Sequence, residues 1–347
     1  MRIAVALSGG VDSSVAAALL REQGHDVVGV TLQQWPRDDE NEAAKHGGCC
    51  SMSAVEDARR VANLLDIPYF VWNLEREFAE RVIKPFHNAY VEGRTPNPCL
   101  RCNQFVRFDL MLNRVLQLGF EAMATGHYAR VLAGPELHMA TDPLKDQSYV
   151  LYHLDRQRLA RIVLPLGEMT KVEVRARAGR MGLPVADKPD SQEICFVPPG
   201  KTADYLAARV PVATGPVVDR GGREIGSHRG TALYTVGQRT GFAVLTEPGP
   251  WYVLRVEPAT NRLVVGRRED LGASRVTLED VSFIDGEPLA AVACEARLRY
   301  RALPVPATYA DGVLHLGEPF PGVAPGQAAV LYSGTRVLGG GTIASAS

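Results

Sequence analysis

Long apolar runs are missing from this sequence. Nothing in its 347 residues approaches the roughly 20 consecutive apolar positions that a helix needs to cross a bilayer, so no membrane role is expected. Cysteine is scarce: 6 residues in a chain of this length are too few for a disulfide scaffold. They suit chemistry or a metal better than staples. The apolar N-terminal run stops at Ser8-Gly9-Gly10 with no small-residue cleavage site behind it, so a buried first strand explains it better than a secretory leader. The thiols are therefore expected to sit reduced in a cytoplasmic protein. Excess charge is also lacking. A formal net charge of −1 gives the whole chain no electrostatic footprint for nucleic acid, and any RNA contact must rest on local patches. No internal repeat or low-complexity stretch stands out.

What is present is an ordinary globular composition, 46% hydrophobic and 22% charged, over a length that exceeds one usual core and implies two or three domains. Apolar strands are expected at Arg2 to Leu7, Asp26 to Leu32, Pro68 to Trp72 and Glu121 to Thr125. Between them fall helical patterns from Val11 to Arg21, from Ser53 (with Glu56 in a capping box) to Leu65, from Glu77 to Val91 and from Phe105 to Leu118. Thr170 and Glu173 open a further capped helix. Strands alternating with helices imply an α/β fold with a parallel sheet covered on both faces. Beyond about Pro198 the pattern becomes short β segments between Gly, Pro, Asp and Asn turns, among them Trp251 to Val256, Arg262 to Val265 and Cys294 to Arg301. The expected layout is an α/β nucleotide domain over 1–200, a β-rich linker domain over 201–270 and a C-terminal β-barrel over 271–347.

Ser8-Gly9-Gly10-Val11-Asp12-Ser13 lies between the first strand and its helix. Free N–H groups at a helix start beside a glycine turn make a pocket for phosphate oxygens. The Ser8 and Ser13 hydroxyls can add donors, and Asp12 can hold the magnesium that accompanies a nucleotide. The string is neither GxxxxGKS nor GxGxxG, which disfavours kinase-type and dinucleotide-type sites. The plainer alternative is a tight turn with Asp12 as an N-cap.

The second group of interest is Thr95-Pro-Asn-Pro-Cys99-Leu-Arg-Cys102-Asn103, two cysteines three apart after a rigid proline segment and just before a helix. A helix N-terminus lowers a thiol pKa and favours the thiolate that a nucleophile or ligand needs. Asp190-Ser-Gln-Glu-Ile-Cys195-Phe brings one further cysteine after a loop. For Cys294, inside a β run, and for Cys49 and Cys50, a small buried hydrophobe is the simpler assignment. A structural zinc site using the CxxC pair with Cys49, Cys50 or His46 is the rival, although a second clean CxxC is missing.

The first string resembles the SGGxDS signature of the PP-loop ATP pyrophosphatases, which cleave ATP between its α and β phosphates and adenylate a substrate. The ordered set SGGVDS, TPNPCLRCN, ATGHYA, KDQSY and DSQEICF, followed by PGQAAVLY, spans essentially the whole chain and is similar to the tRNA-specific 2-thiouridylase family of bacteria and organelles. The resemblance implies ATP-dependent 2-thiolation of the wobble uridine in tRNAs for Lys, Glu and Gln, with ATP and Mg2+ as cofactors. It places the nucleotide at Ala6, Leu7, Ser8, Gly9, Gly10, Val11, Asp12 and Ser13, with main-chain contacts near Leu32 and Gly126. Cys195 would take up sulfur as a persulfide from a sulfur-carrier protein or a cysteine desulfurase, and Cys102 would be its catalytic partner, able to pair with it in a disulfide. The flipped base would meet Asn97, Pro98 and Cys99; His127, Lys145, Asp146, Gln147, Ser148, Arg299, Tyr300 and Gln327 would touch tRNA. Some relatives carry Asp where this chain has Cys99, so an iron–sulfur cluster on Cys99, Cys102 and Cys195 stands as the alternative sulfur source. A monomer is assumed.

On a strand, Arg297, Arg299 and Arg301 would share one face as a basic stripe for phosphates. The helix after Thr170 offers Lys171, Arg175 and Arg177 or Arg180 for a similar purpose. Each reading competes with a merely solvated face. Functional rivals are an amidotransferase-type synthetase, which would want a glutaminase domain or an N-terminal cysteine, and a zinc-stabilised RNA-binding protein.

Overall fold

The structure, a computed structural model, describes residues 1–34, 52–190, 194–246 and 248–347. The chain divides into two compact units. Unit 1 holds 1–82, 99–200 and 335–337; unit 2 holds 83–98, 201–334 and 338–347.

Unit 1 is built on a parallel sheet of five strands, β1 (Arg2–Ala6), β2 (Asp26–Gln33), β3 (Tyr69–Asn73), β4 (Ala122–Ala124) and β7 (Ile162–Val163), in the order β3-β2-β1-β4-β7. Ile3 to Val5 of β1 are fully buried and β2 is buried from Val27 to Gln33, as in strands covered on both faces, which is why these two read as apolar runs without alternation. Helix α1 (Val11–Glu22) carries three consecutive alanines, Ala16 to Ala18, all fully buried. Small side chains let it lie in contact with Ile3, Val5 and Leu7 of the sheet side on one face and with Val174 and Ala178 of α4 (Lys171–Arg180) on the other. Helix α2 (Met52–Leu64) packs Ala58 and Ala62 into the same sheet core. The hairpin β5 (Ala129–Leu132) and β6 (Glu136–Met139) completes the unit.

Two expectations at helix starts are corrected. Helix α2 already includes Met52, so Ser53 lies inside the first turn and is not its N-cap. The helical stretch expected from Phe105 begins instead at Pro98, continues through a π-helical run Cys102–Met111 and ends at Gln117. Proline at a first helical position loses no hydrogen bond, since that N–H has no partner in a helix anyway. Cys99 and Cys102 therefore lie on the first turns of a helix, not in a loop before it. By contrast the capping box at α4 forms as expected: Glu173 N–H donates to Thr170 Oγ1 at 3.3 Å and Thr170 N–H to the Glu173 carboxylate at 2.7 Å.

Unit 2 contains helix α3 (Lys84–Val91), a sheet with strand order β10-β9-β8-β12-β11, and a barrel. The sheet strands are β8 (Gly215–Val218), β9 (Glu224–His228), β10 (Ala243–Val244), β11 (Tyr252–Glu257) and β12 (Arg262–Gly266), around Val217, Ile225, Tyr234, Val253 and Leu263. The barrel strands are β13 (Gly272–Phe283), β14 (Val292–Arg297), β15 (Val305–Ala310), β16 (Val313–Pro321), β17 (Ala328–Ser333) and β18 (Arg336–Ala346). They run β13-β16-β15-β14-β17-β18 and close through pairing of β13 with β18. Its interior holds Val276, Leu298, Leu314, Leu331 and Ile343, all fully buried, each worth roughly 1.5–3 kcal/mol of transfer free energy. Strand β14 stops at Arg297, and Arg299 and Arg301 lie beyond it. The expected basic stripe therefore does not form on a strand. The α/β domain followed by a β-rich domain and a closed β-barrel is the fold class expected from the sequence.

Candidate active site

In an open parallel sheet, ligands bind beyond the carboxyl ends of the strands where the strand order reverses. Here that point falls beside β1, with β2 on one side and β4 on the other. A cavity of about 160 Å³ occupies it, walled by Ala6, Leu7, Ser8, Asp12 and Ser13 after β1, by Val30, Leu32 and Gln34 along and after β2, and by Thr125, Gly126 and His127 after β4. Arg107 and Gln147 complete the wall.

The loop that edges this cavity is held from within. Ser8 N–H donates to Ser13 Oγ at 3.1 Å, and the Ser13 and Ser14 hydroxyls donate to the Gly10 carbonyl at 3.2 and 2.8 Å. Gly9 has φ of +68°, and a Cβ there would sit 2.1 Å from the Ala54 carbonyl oxygen, so no other residue fits without moving α2. The N-cap of α1 is Gly10, which supplies no side-chain acceptor. That leaves the first-turn N–H groups of α1 without a capping partner and suited to an anion.

Asp12 is thus not an N-cap. Its carboxylate accepts from Lys171 Nζ at 2.7 and 2.8 Å and from the Tyr128 hydroxyl at 2.7 Å. Lys171, only 8% exposed, also pairs with Asp190 at 2.8 Å, and Asp190 takes Lys145 at 2.7 Å and Arg175 at 2.8 Å. Burial pushes the Asp190 pKa up, but hydrogen bonds and charges from Lys145 and Lys171 outweigh it and hold the carboxyl at about 2. Burial and the adjacent Asp12 charge raise the Tyr128 hydroxyl, which stays protonated and donating. Lys188 reaches the Gly9 carbonyl at 2.9 Å and Asp57 at 2.8 Å. The loop is therefore ringed by cations that are balanced by carboxylates.

The thiol of Cys102 is linked to the cavity through one side chain. Gln34, 2% exposed and part of the wall, donates its amide to Cys102 Sγ at 3.7 Å. Arg107 lies one turn further along the Cys102 helix, donates to Asn103 Oδ1 at 3.1 Å, and gives the cavity a fixed positive group. Neither Gln34 nor Arg107 was singled out from the sequence. The signal available was position, the first residue past β2 and the residue five after Cys102 on a helix expected to start later. Cys99 is exposed, and Cys195 is partly exposed in the turn Ile194–Val197. Among the described residues no group of three or more His, Cys, Asp or Glu lies close enough to hold a metal ion. Cys99, Cys102 and Cys195 thus do not form a ligand set here; Cys49, Cys50, His46 and 191–193 lie outside the described residues.

The residues expected to touch RNA fall into three settings. His127 and Gln147 line the cavity. His127 is buried, bonded to Thr125 Oγ1 at 2.7 Å, and burial with the nearby Arg107 and His153 lowers its pKa to about 3, so it is neutral. Gln147 Oε1 accepts from Tyr128 N–H. Asp146 and Ser148 are buried and bonded to each other at 3.0 Å, with Asp146 also accepting from Ala140 N–H, while Lys145 is the partner of Asp190. In unit 2, Arg299 donates to the Pro321 and Gly322 carbonyls at 2.6 Å, with partly exposed Tyr300 beside it in sequence, and Gln327 donates to the Thr95 carbonyl at 2.7 Å. Cys294 is half-buried in the barrel wall, and burial pushes its pKa up to about 11, which makes it a poor nucleophile. No described helix is long and apolar enough to cross a membrane.

Comparison with known proteins gives a consistent match along the chain. Residues 1–199 match the family model described as tRNA methyl transferase HUP domain, 203–267 the tRNA methyl transferase PRC-barrel domain, and 273–343 the aminomethyltransferase beta-barrel domain. Similar full-length proteins include the tRNA-specific 2-thiouridylase MnmA of Acidothermus cellulolyticus, 47% identical over 99% of this chain and 98% of that protein. The proteins of the same name from Chloroflexus aurantiacus and Rhodospirillum centenum are also 47% identical over 99% of this chain, covering 98% and 92% of theirs.

Proposed function

Because the chain belongs to the tRNA-specific 2-thiouridylase family, we propose that it is an ATP-dependent tRNA-uridine 2-sulfurtransferase acting on the wobble uridine. The observation that supports this most is the hydrogen bond from Gln34 to Cys102, which leaves a cysteine thiol one side chain from a cavity edged by a loop suited to an anion. Methyl transfer, the wording of the family model, would need neither feature.

The chemistry follows from these parts. The C2 oxygen of the uridine attacks the α-phosphorus of ATP, pyrophosphate leaves, and C2 now carries AMP as its leaving group. The loop Ala6 to Ser13, of which Ala6, Leu7, Ser8, Asp12 and Ser13 line the cavity, holds the nucleotide with Leu32 and Gly126; the α1 N–H groups and Arg107 serve the developing phosphate charge. Magnesium comes with ATP. Asp12 is the loop carboxylate suited to it; here it pairs with Lys171 and accepts a hydrogen bond from the Tyr128 hydroxyl.

The terminal sulfur of a Cys195 persulfide then attacks C2 and AMP departs. The Cys102 thiolate attacks the Cys195 sulfur, the S–S bond breaks with its electron pair going to the 2-thiouridine sulfur, and a Cys102–Cys195 disulfide remains for an external thiol to reduce. A sulfur-carrier protein or a cysteine desulfurase reloads Cys195. Asn97, Pro98 and Cys99 meet the flipped base, which suits a target in a single-stranded anticodon loop. The tRNAs for Lys, Glu and Gln are the substrates of a monomer with domains 1–200, 201–270 and 271–347. A cluster on Cys99, Cys102 and Cys195 does not fit the geometry of the described residues.

The test is mass spectrometry of nucleosides from unmodified tRNA incubated with protein, Mg-ATP and a persulfide donor. ATP-dependent 2-thiouridine is expected from the wild type and none from Cys195→Ser, while the variant still releases pyrophosphate. Thiolated product from Cys195→Ser would remove the persulfide role; ATP cleavage without any thiolated base from the wild type would remove the substrate assignment.

A further inference from the structure

The segment 93–98 that precedes the cysteines belongs to unit 2. Within that unit Thr95 is gripped at every polar group it has. Its N–H donates to the Pro325 carbonyl at 2.7 Å, its carbonyl accepts from Gln327 Nε2 at 2.7 Å, and its hydroxyl bonds the Thr235 hydroxyl at 3.0 Å. Next to it Arg94 forms an ion pair with Glu279 of β13. Gly326 makes the close approach possible: at φ +90°, a Cβ there would stand 2.9 Å from Thr95 N and 3.1 Å from Arg94 Cβ.

Rigidity carries this grip forward along the chain. Pro96 and Pro98 have φ locked near −65°, and a residue before proline is confined to extended conformations, so Thr95 and Asn97 have little freedom left. Once Thr95 is fixed, Asn97 and Pro98 are fixed with it, and Pro98 is the residue at which the helix of Cys99 and Cys102 begins. We infer that Gln327, with Gly326, is a positioning residue: through the Thr95 carbonyl, the barrel loop before β17 sets the place of Asn97–Pro98 within unit 2. The inference rests on the thiolase reading for its catalytic consequence, while the clamp itself does not.

The experiment compares full-length wild type with Gln327→Ala, Gln327→Glu and Gly326→Ala. Glutamate keeps the size of the side chain but replaces the donating amide with an acceptor facing a carbonyl. Three quantities are read: the single-turnover thiolation rate at saturating tRNA and ATP, the tRNA Kd, and hydrogen exchange of 93–98 and of β17. A positioning role predicts a rate lower by on the order of tenfold to a hundredfold with Kd within about twofold of wild type. It also predicts faster exchange at Arg94 and Thr95 with β17 still protected. A weaker Kd at an unchanged saturated rate would overturn it in favour of a direct RNA contact, and wild-type values for rate and exchange alike would overturn it outright. If Gln327→Ala loses β17 protection, Gln327→Glu and Gly326→Ala decide by the same readouts. Absence of 2-thiouridine from the wild type would count against the functional reading alone, since exchange at Thr95 still decides the clamp without catalysis.

Discussion

His127 and His153 show how burial converts single residues into a pH response. Each is buried, and each has a pKa lowered to about 3 with burial as the leading cause. His153 makes no hydrogen bond through either ring nitrogen, and the nearby Asp155 charge only partly offsets burial and the Arg158 charge. Between pH 6.5 and about 3 the unfolded chain binds protons that the folded chain refuses, and stability therefore falls as pH falls. Each histidine contributes up to about 1.4 kcal/mol per pH unit across that window. Replacing His153 with Leu is expected to make that slope shallower, measured as the urea midpoint between pH 6.5 and 5, and to leave stability at pH 8 within about 1 kcal/mol, since no bonded partner is lost. An unchanged slope would show that His153 is protonated in the native state. Such buried histidines are not legible in a sequence, which carries no measure of depth: the motif alone makes His127 an RNA contact, and nothing in the local pattern marks His153. The loop residues were legible because glycines and serines between a strand and a helix have few other uses, and the structure puts Ala6, Leu7, Ser8, Asp12 and Ser13 around one cavity.

Helix α4 places Lys171 against Asp12 and Asp190, so its capping has a consequence beyond the helix. Thr170→Ala removes the acceptor for Glu173 N–H and is expected to cost about 1 kcal/mol. Because Lys171 is the first residue of the helix, fraying should also loosen the Asp12 contact, and ATP affinity is expected to weaken several-fold; isothermal calorimetry with a non-hydrolysable ATP analogue measures it. Full affinity in a variant with the expected drop in thermal midpoint would separate cap from site. This cap was readable because Thr-x-x-Glu before an apolar pattern has a local mechanism. The start of the cysteine helix was not, since two prolines around an asparagine look like a loop, whereas proline is well tolerated as the opening residue of a helix. The end of β14 was misjudged for a similar reason. Alternating Arg297, Arg299 and Arg301 satisfy a strand pattern, but Arg299 is drawn instead to the Pro321 and Gly322 carbonyls, contacts that no local pattern encodes.

For the whole molecule, the sequence pattern conveys the change from parallel α/β to β-rich architecture near residue 200, because hydrophobic periodicity changes there. It does not convey that 83–98 belongs with the later half. His87 meets the Tyr205 hydroxyl at 3.2 Å, Phe86 packs edge-on to the same ring, and Arg94 and Thr95 are held by Glu279, Pro325 and Gln327. A chain ended after residue 200 would therefore keep every motif from SGGVDS to DSQEICF and still be incomplete by packing. It is expected to be cleaved within 83–98 by a low dose of protease that leaves the full chain whole, as mass spectrometry of the fragments would reveal. Resistance there would mean that this segment folds without its unit 2 partners.

The same arrangement imposes an order on synthesis. The Gln327–Thr95 bond spans 232 residues, so at ribosomal speeds Thr95 waits roughly 10 to 50 s in the nascent chain before its partner exists. An exposed extended segment left waiting is an invitation to pair with a neighbouring strand. Pro96 and Pro98 have no N–H to offer such a ladder, and the prolines that later stiffen the clamp also keep the unfinished protein from mispairing at that point.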